Sequence, residues 1–188
     1  MAKKIGILIE NRFIEKEIFY YKSFFETEGF EVVFLTRLWG QSQLTFKGLE
    51  WQAELTTSHS FENMRDTDLS DYVAIIVPAG YVSDYLLYTE KPGETSPAAA
   101  FIKRIIGNKA IIKGFICHSL WIAGPIKEVF AGRNVTCHNN IVSHVTNAGI
   151  TYCDKDVCVD GDLVTARTGG HHGVFAKEIL VQVRKGEK

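Results

Sequence analysis

Short runs of consecutive apolar residues alternate along this chain with stretches in which apolar residues recur every three or four positions. Lys4-Ile5-Gly6-Ile7-Leu8-Ile9, Phe30-Glu31-Val32-Val33-Phe34-Leu35 and Tyr72-Val73-Ala74-Ile75-Ile76-Val77 are such runs, rich in β-branched residues. They fit strands buried on both faces of a parallel sheet. Between the first two, Ile14, Ile18, Tyr21 and Phe25 form one stripe at helical spacing, and Gly29 supplies the stop. Ser96-Pro97 reads as an N-cap followed by proline at N1, opening a helix whose apolar face is Phe101, Ile102, Ile105 and Ile106. Near the end, Asp160-Gly161-Asp162 between Val157-Cys158-Val159 and Leu163-Val164-Thr165-Ala166 signals a hairpin, and Phe175, Ile179 and Val183 mark a closing helix. The mixed polar pattern from Arg37 to Ser70 predicts only short strands and a short helix, and Tyr88 to Ser96, centred on Pro92-Gly93, predicts a loop. Strands alternating with helices, then a hairpin, predict an α/β sandwich with a mainly parallel sheet.

Composition narrows the class. The 188 residues are 46% hydrophobic and 12% aromatic, enough for one well-buried core, and predict a single domain over 1–188. A net charge of -1, with bases scattered among acids, offers no basic stripe for nucleic acid. The basic start Met1-Ala2-Lys3-Lys4 precedes an apolar run that ends at Glu10, too short for a signal peptide, and no later segment has the length of a membrane span. A cytoplasmic protein with neither a membrane nor a nucleic-acid partner is the expectation. Glycine-rich GxGxxG is missing after the first strand, which removes the main requirement of a dinucleotide site.

Candidate chemistry centres on Gly114-Phe115-Ile116-Cys117-His118-Ser119-Leu120-Trp121. Its first half reads as a buried strand and its second as a helix, so Cys117 falls on a strand-to-helix corner, where a nucleophile is presented at the carboxyl end of the sheet. A helix N-terminus behind it is expected to lower the thiol pKa and enrich the thiolate. An ordinary buried cysteine is the structural alternative. Pro78-Ala79-Gly80 ends the third strand, where backbone N–H groups of Ala79 and Gly80 are candidates for an oxyanion site, or simply a turn. The other cysteines, Cys137, Cys153 and Cys158, form no CxxC pair, and a disulfide is not expected in a reducing compartment. His171-His172, read as adjacent residues of an extended segment, would point to opposite sides and make no zinc pair, so no metal is expected.

Phe115-Ile116-Cys117-His118, Ala131-Gly132-Arg133-Asn134-Val135-Thr136, Asn147-Ala148-Gly149 and Asp160-Gly161-Asp162-Leu163-Val164-Thr165-Ala166-Arg167 occur in an order that resembles the ThiJ/PfpI family of intracellular cysteine hydrolases. The resemblance spans nearly the whole chain. It implies a flavodoxin-like three-layer sandwich with helices on both faces and a C-terminal hairpin, commonly a homodimer, with protease, amidase, glyoxalase or deglycase activity and no cofactor. By position it implies Cys117 as nucleophile and His118 as its neighbour, with Glu17 as the carboxyl that contacts the cysteine. Asp84 falls where the family carries an acid that in some members reaches the partner subunit's site. His138 falls where the deglycase branch has a histidine. On the residues alone, Glu17 reads as a solvated first-turn acid, and His138 equally fits a capping or core histidine.

The chain also departs from the family pattern. Ala79 stands in place of a glycine, Ser119 in place of the glycine after Cys-His, and Thr168-Gly169-Gly170-His171-His172-Gly173 where relatives carry a proline and aspartates. Two kinds of function fit: an enzyme in which Cys117 attacks a small carbonyl or amide compound, or a redox-responsive protein whose Cys117 is oxidised.

Overall fold

The computed structural model describes residues 2–186. The chain runs β1 (Lys4–Leu8), α1 (Glu15–Thr27), β2 (Glu31–Thr36), β3 (Leu44–Lys47), β4 (Glu54–Thr57), β5 (His59–Ser60), α2 (Asp66–Leu69), β6 (Tyr72–Val77), α3 (Val82–Leu86), α4 (Pro97–Ile106) and β7 (Ile112–Ile116). A 3-10 segment, Ser119–Val129, follows, then β8 (Asn134–Val135), α5 (Val142–Asn147), β9 (Thr151–Tyr152), β10 (Val157–Asp160), β11 (Leu163–Ala166) and α6 (His172–Gly186). Seven strands form one sheet in the order β10-β11-β7-β6-β1-β2-β5, parallel except for β10, which pairs antiparallel with β11 as the predicted hairpin.

The uninterrupted apolar runs are central strands because both faces are covered. On β7, Gly114 faces α6 so closely that a Cβ there would lie 2.7 Å from Ile179 and 2.8 Å from Phe175. Its neighbour Phe115 turns to the other face and meets Phe130 edge-on at 5.5 Å. Helices α1 and α6 pack against each other, and α4 packs against the 3-10 segment. Ser96 caps α4 as its sequence predicts, its hydroxyl accepting from the Ala99 N–H at 3.1 Å.

The region from Arg37 to Ser70 resolves into an antiparallel β3–β4 pair outside the main sheet, the edge strand β5 and the one-turn α2. Glu15, at the start of α1, holds the β3–β4 turn: its carboxylate accepts the N–H groups of Glu50 and Trp51 at 2.7 Å each and that of Ala53 at 3.3 Å. Those bonds outweigh burial and keep its pKa below the ordinary value.

One buried charge is built into the sheet. The Lys113 side chain has no exposed surface; its Nζ donates to the Asn108 carbonyl at 2.8 Å and pairs with Asp162, which also accepts from Arg133 at 2.8 Å. Among the described residues, no helix is long and apolar enough to cross a membrane.

Candidate active site

A cavity of about 710 Å³ opens beyond the carboxyl ends of the central strands, where ligands bind on open α/β sheets. The segment after β6 contributes Ala79, Gly80 and Tyr81; the corner after β7 contributes Cys117, His118 and Trp121. The segment after β11 adds Gly169, Gly170 and His172, while Ile14, Lys16 and Glu17 from the start of α1, Glu50 and Asp84 complete the wall. Cys117, His118, Glu17, Asp84, Ala79 and Gly80 therefore meet in one place.

Cys117 has φ of +64°, a left-handed conformation that costs a non-glycine residue about 1–2 kcal/mol. Its neighbours hold it there. The Cys117 N–H donates to the Ala166 carbonyl on β11 at 2.9 Å, and its own carbonyl accepts the His138 N–H at 3.1 Å. Cys117 thus sits on a strained corner at the end of β7, held by β11 on one side and by the segment after β8 on the other.

The electrostatics differ from the expectation of a thiolate stabilised by a helix. The segment behind Cys117 is a 3-10 helix broken at Ile126 (φ −131°), beside Pro125. Burial pushes the thiol above its ordinary pKa, against the opposing N–H groups of Gly169 and His118. A protonated thiol needs a base, and one is adjacent: Sγ lies 3.3 Å from His118 Nδ1. Burial and neighbouring His138 both lower the His118 pKa, keeping its imidazole neutral and able to accept that proton.

Glu17 is buried rather than solvated. Both carboxyl oxygens receive the Ala79 N–H, at 3.1 and 3.2 Å, yet burial prevails and pushes its pKa up to about 7. Around neutrality the group is a carboxyl close to holding its proton, and a negative charge on it raises the Cys117 pKa. The Ala79 N–H committed to Glu17 is not free for an oxyanion, which corrects half of the expected pair. Gly80 keeps the role open. Its φ of +82° and a Cβ that would fall 2.8 Å from the Arg12 carbonyl restrict the position to glycine.

His138 serves as both a cap and a site neighbour. Its Nδ1 accepts the Asn140 N–H at 3.2 Å, and its ring stacks on His118 at 4.3 Å with 24° between planes. Cys117, His118 and His138 present ligand atoms within 4.8 Å of one another, a spacing compatible with a soft metal. The bond from Asn140 requires an unprotonated His138 Nδ1, which places the proton of the neutral ring on Nε2. Ligation through Nε2 would break that arrangement. Cys137 is buried in the core, and burial drives its pKa to about 11, which disfavours a thiolate in the second Cys-His pair. His171 ends a 3-10 turn capped by Thr168 and His172 opens α6, so the pair does not lie in an extended segment. Lys16, Glu50 and Tyr81 also line the cavity without a motif of their own in the sequence; the acid-rich opening of α1 is the local signal nearby.

A model of the DJ-1/PfpI family matches residues 3–182. The chain belongs to the DJ-1/PfpI family. Protein/nucleic acid deglycase 2 of Escherichia coli (strain K12) is 29% identical to it over 96% of this chain and 97% of its own. YraA of Bacillus subtilis (strain 168), whose name assigns it provisionally to the cysteine proteases, is 28% identical over 96% of this chain and 98% of its own. Among solved structures, Schizosaccharomyces pombe DJ-1 superposes with a TM-score of 0.79 at 17% identity, covering 96% of this chain and 91% of that one. A two-domain protein of Anabaena variabilis with DJ-1/ThiJ/PfpI-like and ferritin-like domains gives a TM-score of 0.83 at 23% identity, covering 98% of this chain and 49% of that one. These neighbours share the flavodoxin-like architecture of this DJ-1/PfpI chain, a mainly parallel central sheet between helices.

Proposed function

We propose that this DJ-1/PfpI protein is a cysteine-dependent enzyme of hydrolase or deglycase type that acts on a small carbonyl or amide compound. The observation that carries the reading is the 3.3 Å pairing of Cys117 Sγ with the neutral His118 Nδ1 on a strained corner at the floor of a cavity. As Sγ adds to the electrophilic carbon, His118 takes the thiol proton and later delivers it to the leaving group. The developing oxyanion is held by backbone N–H groups near Gly80 and His118. Glu17, neutral below about pH 7, avoids placing a second negative charge beside the sulfur. The names of the deglycase and the YraA relative agree with such chemistry. Turnover of methylglyoxal and of a small peptide amide, by wild type and by Cys117→Ser, tests the reading. Wild type is expected to consume one of the two and Cys117→Ser neither; equal rates for both proteins would end it.

A homodimer completes the proposal. Tyr81, Tyr85 and Tyr88, on and beside α3, are exposed together with Trp39 and Trp121, all five between 41% and 58%, an apolar surface beside Asp84 that a second copy would cover. If Asp84 reaches the partner's Cys-His pair, Asp84→Ala should lower kcat/KM by roughly 10²-fold, the lower end for a proton-handling group, with Tm unchanged. A monomer in size-exclusion chromatography that retains full activity would remove the cross-subunit role.

A further inference from the structure

His172 opens α6 at the wall of the cavity, and the reaction described above makes no use of it. Its Nδ1 lies 2.7 Å from the Gly169 carbonyl oxygen. A carbonyl can only accept, so Nδ1 carries the proton, and in the neutral ring Nε2 is the nitrogen with a free lone pair. Tyr20 packs against the imidazole at a ring separation of 5.0 Å and 76°, so turning the ring would lose both contacts. Among the described residues Nε2 has no hydrogen-bond partner. Gly169, whose carbonyl holds His172, lines the same cavity as Cys117, and its N–H favours the ionised sulfur. The Gly169 carbonyl thus fixes a second, independently oriented base in the cavity that holds Cys117. His118, with Nδ1 on the sulfur, is committed to the thiol proton.

We propose that His172 is a further catalytic residue, the base that activates the water which hydrolyses the acyl group on Cys117. The proposal rests on Cys117 being the nucleophile. In the first half-reaction the Cys117 S–C bond forms and the bond from carbon to the leaving group breaks, the thiol proton leaving with that group by way of His118. In the second, a water oxygen bonds to the thioester carbon while its proton passes to His172 Nε2. The C–S bond then breaks, sulfur departs with the electron pair, and the proton on His172 returns to it through solvent. The sum is substrate plus water giving acid plus leaving group, with no other reactant.

The test separates the two halves. The protein is acetylated with 4-nitrophenyl acetate, freed of reagent by rapid gel filtration, and the loss of the acetyl group from Cys117 is followed by mass spectrometry of the peptide containing it. His172→Ala should acetylate at the wild-type rate and lose the group about 10²-fold more slowly, with added imidazole restoring part of the rate. His172→Asn keeps an N–H able to reach the Gly169 carbonyl but offers no base, and it should be as slow as His172→Ala. Deacetylation of either variant within twofold of wild type overturns the assignment, and a normal rate in His172→Asn alone reduces His172 to a positioning residue and also overturns it. A wild-type protein in which Cys117 never becomes acetylated overturns the nucleophile reading itself, and this inference with it.

Discussion

Glu17→Gln is expected to make the protein progressively more stable than wild type as pH rises from about 4.5 to about 7. The Glu17 carboxyl is wholly buried, and burial raises its pKa from 4.5 to about 7. Below 4.5 the folded and unfolded chains both hold the proton, so the group makes no difference. Between the two values the unfolded chain releases the proton while the folded chain retains it, and stability falls with pH. Above about 7 both states are ionised and the loss is complete. A displacement of this size corresponds to about 3 kcal/mol, since one pKa unit is roughly 1.4 kcal/mol. Glutamine has the same shape, can still accept the Ala79 N–H and carries no charge, so the variant should lack the dependence. Urea unfolding of both proteins at pH 4.5, 6 and 8 measures this. Parallel curves across that range would show that Glu17 is ionised throughout and does not share a proton with the site.

A second large effect is expected at the opposite end of β7. Asp162→Ala should cost about 3–5 kcal/mol, because it strands the ammonium of Lys113 in the sheet with only the Asn108 carbonyl, while Arg133 keeps Asp160. The double change Lys113→Met with Asp162→Ala removes the buried charge as well and should recover most of that loss, since an apolar side chain of similar length replaces a desolvated ion. Chemical denaturation, with an unchanged slope to certify the comparison, gives both numbers. A cost under about 1 kcal/mol for Asp162→Ala would mean that water reaches Lys113 and that the pair is an ordinary surface bridge. The acid limb carries its own sign. Ionic hydrogen bonds from Lys113 and Arg133 overcome burial and hold the Asp162 pKa below its ordinary value, so this stabilisation is present above pH 4 and fades as pH falls through the lowered value.

How much of this was legible in the sequence depended on whether the signal was local. The runs around Ile5, Val33, Ile75 and Phe115 became the central strands, since a segment apolar on both sides has few other places to go. The Ser96-Pro97 cap and the Asp160-Gly161-Asp162 hairpin act through neighbours in sequence and appeared as written. The stretch from Val82 to Leu86 gave too few residues for a helical period, and Asn134 to Tyr152 holds a two-residue parallel pair with a helix between, too short for any pattern. The conformation of His171-His172 is set by Thr168, which caps the turn ending at His171 and leading into α6.

By itself the sequence determined the order of the long strands and helices, the parallel sheet, and the cysteine on a corner, because hydrophobic periodicity and turn chemistry are properties of adjacent residues. Tertiary structure decided the protonation of the site. Whether Glu17 is solvated or raised to about 7, and whether Cys117 is a thiolate or a thiol beside a neutral His118, depends on burial by residues distant in the chain. The same holds for Ala79, whose N–H was expected to face substrate and is turned to Glu17. Burial and the direction of a hydrogen bond are properties of packed neighbours, and only the folded chain brings those neighbours together.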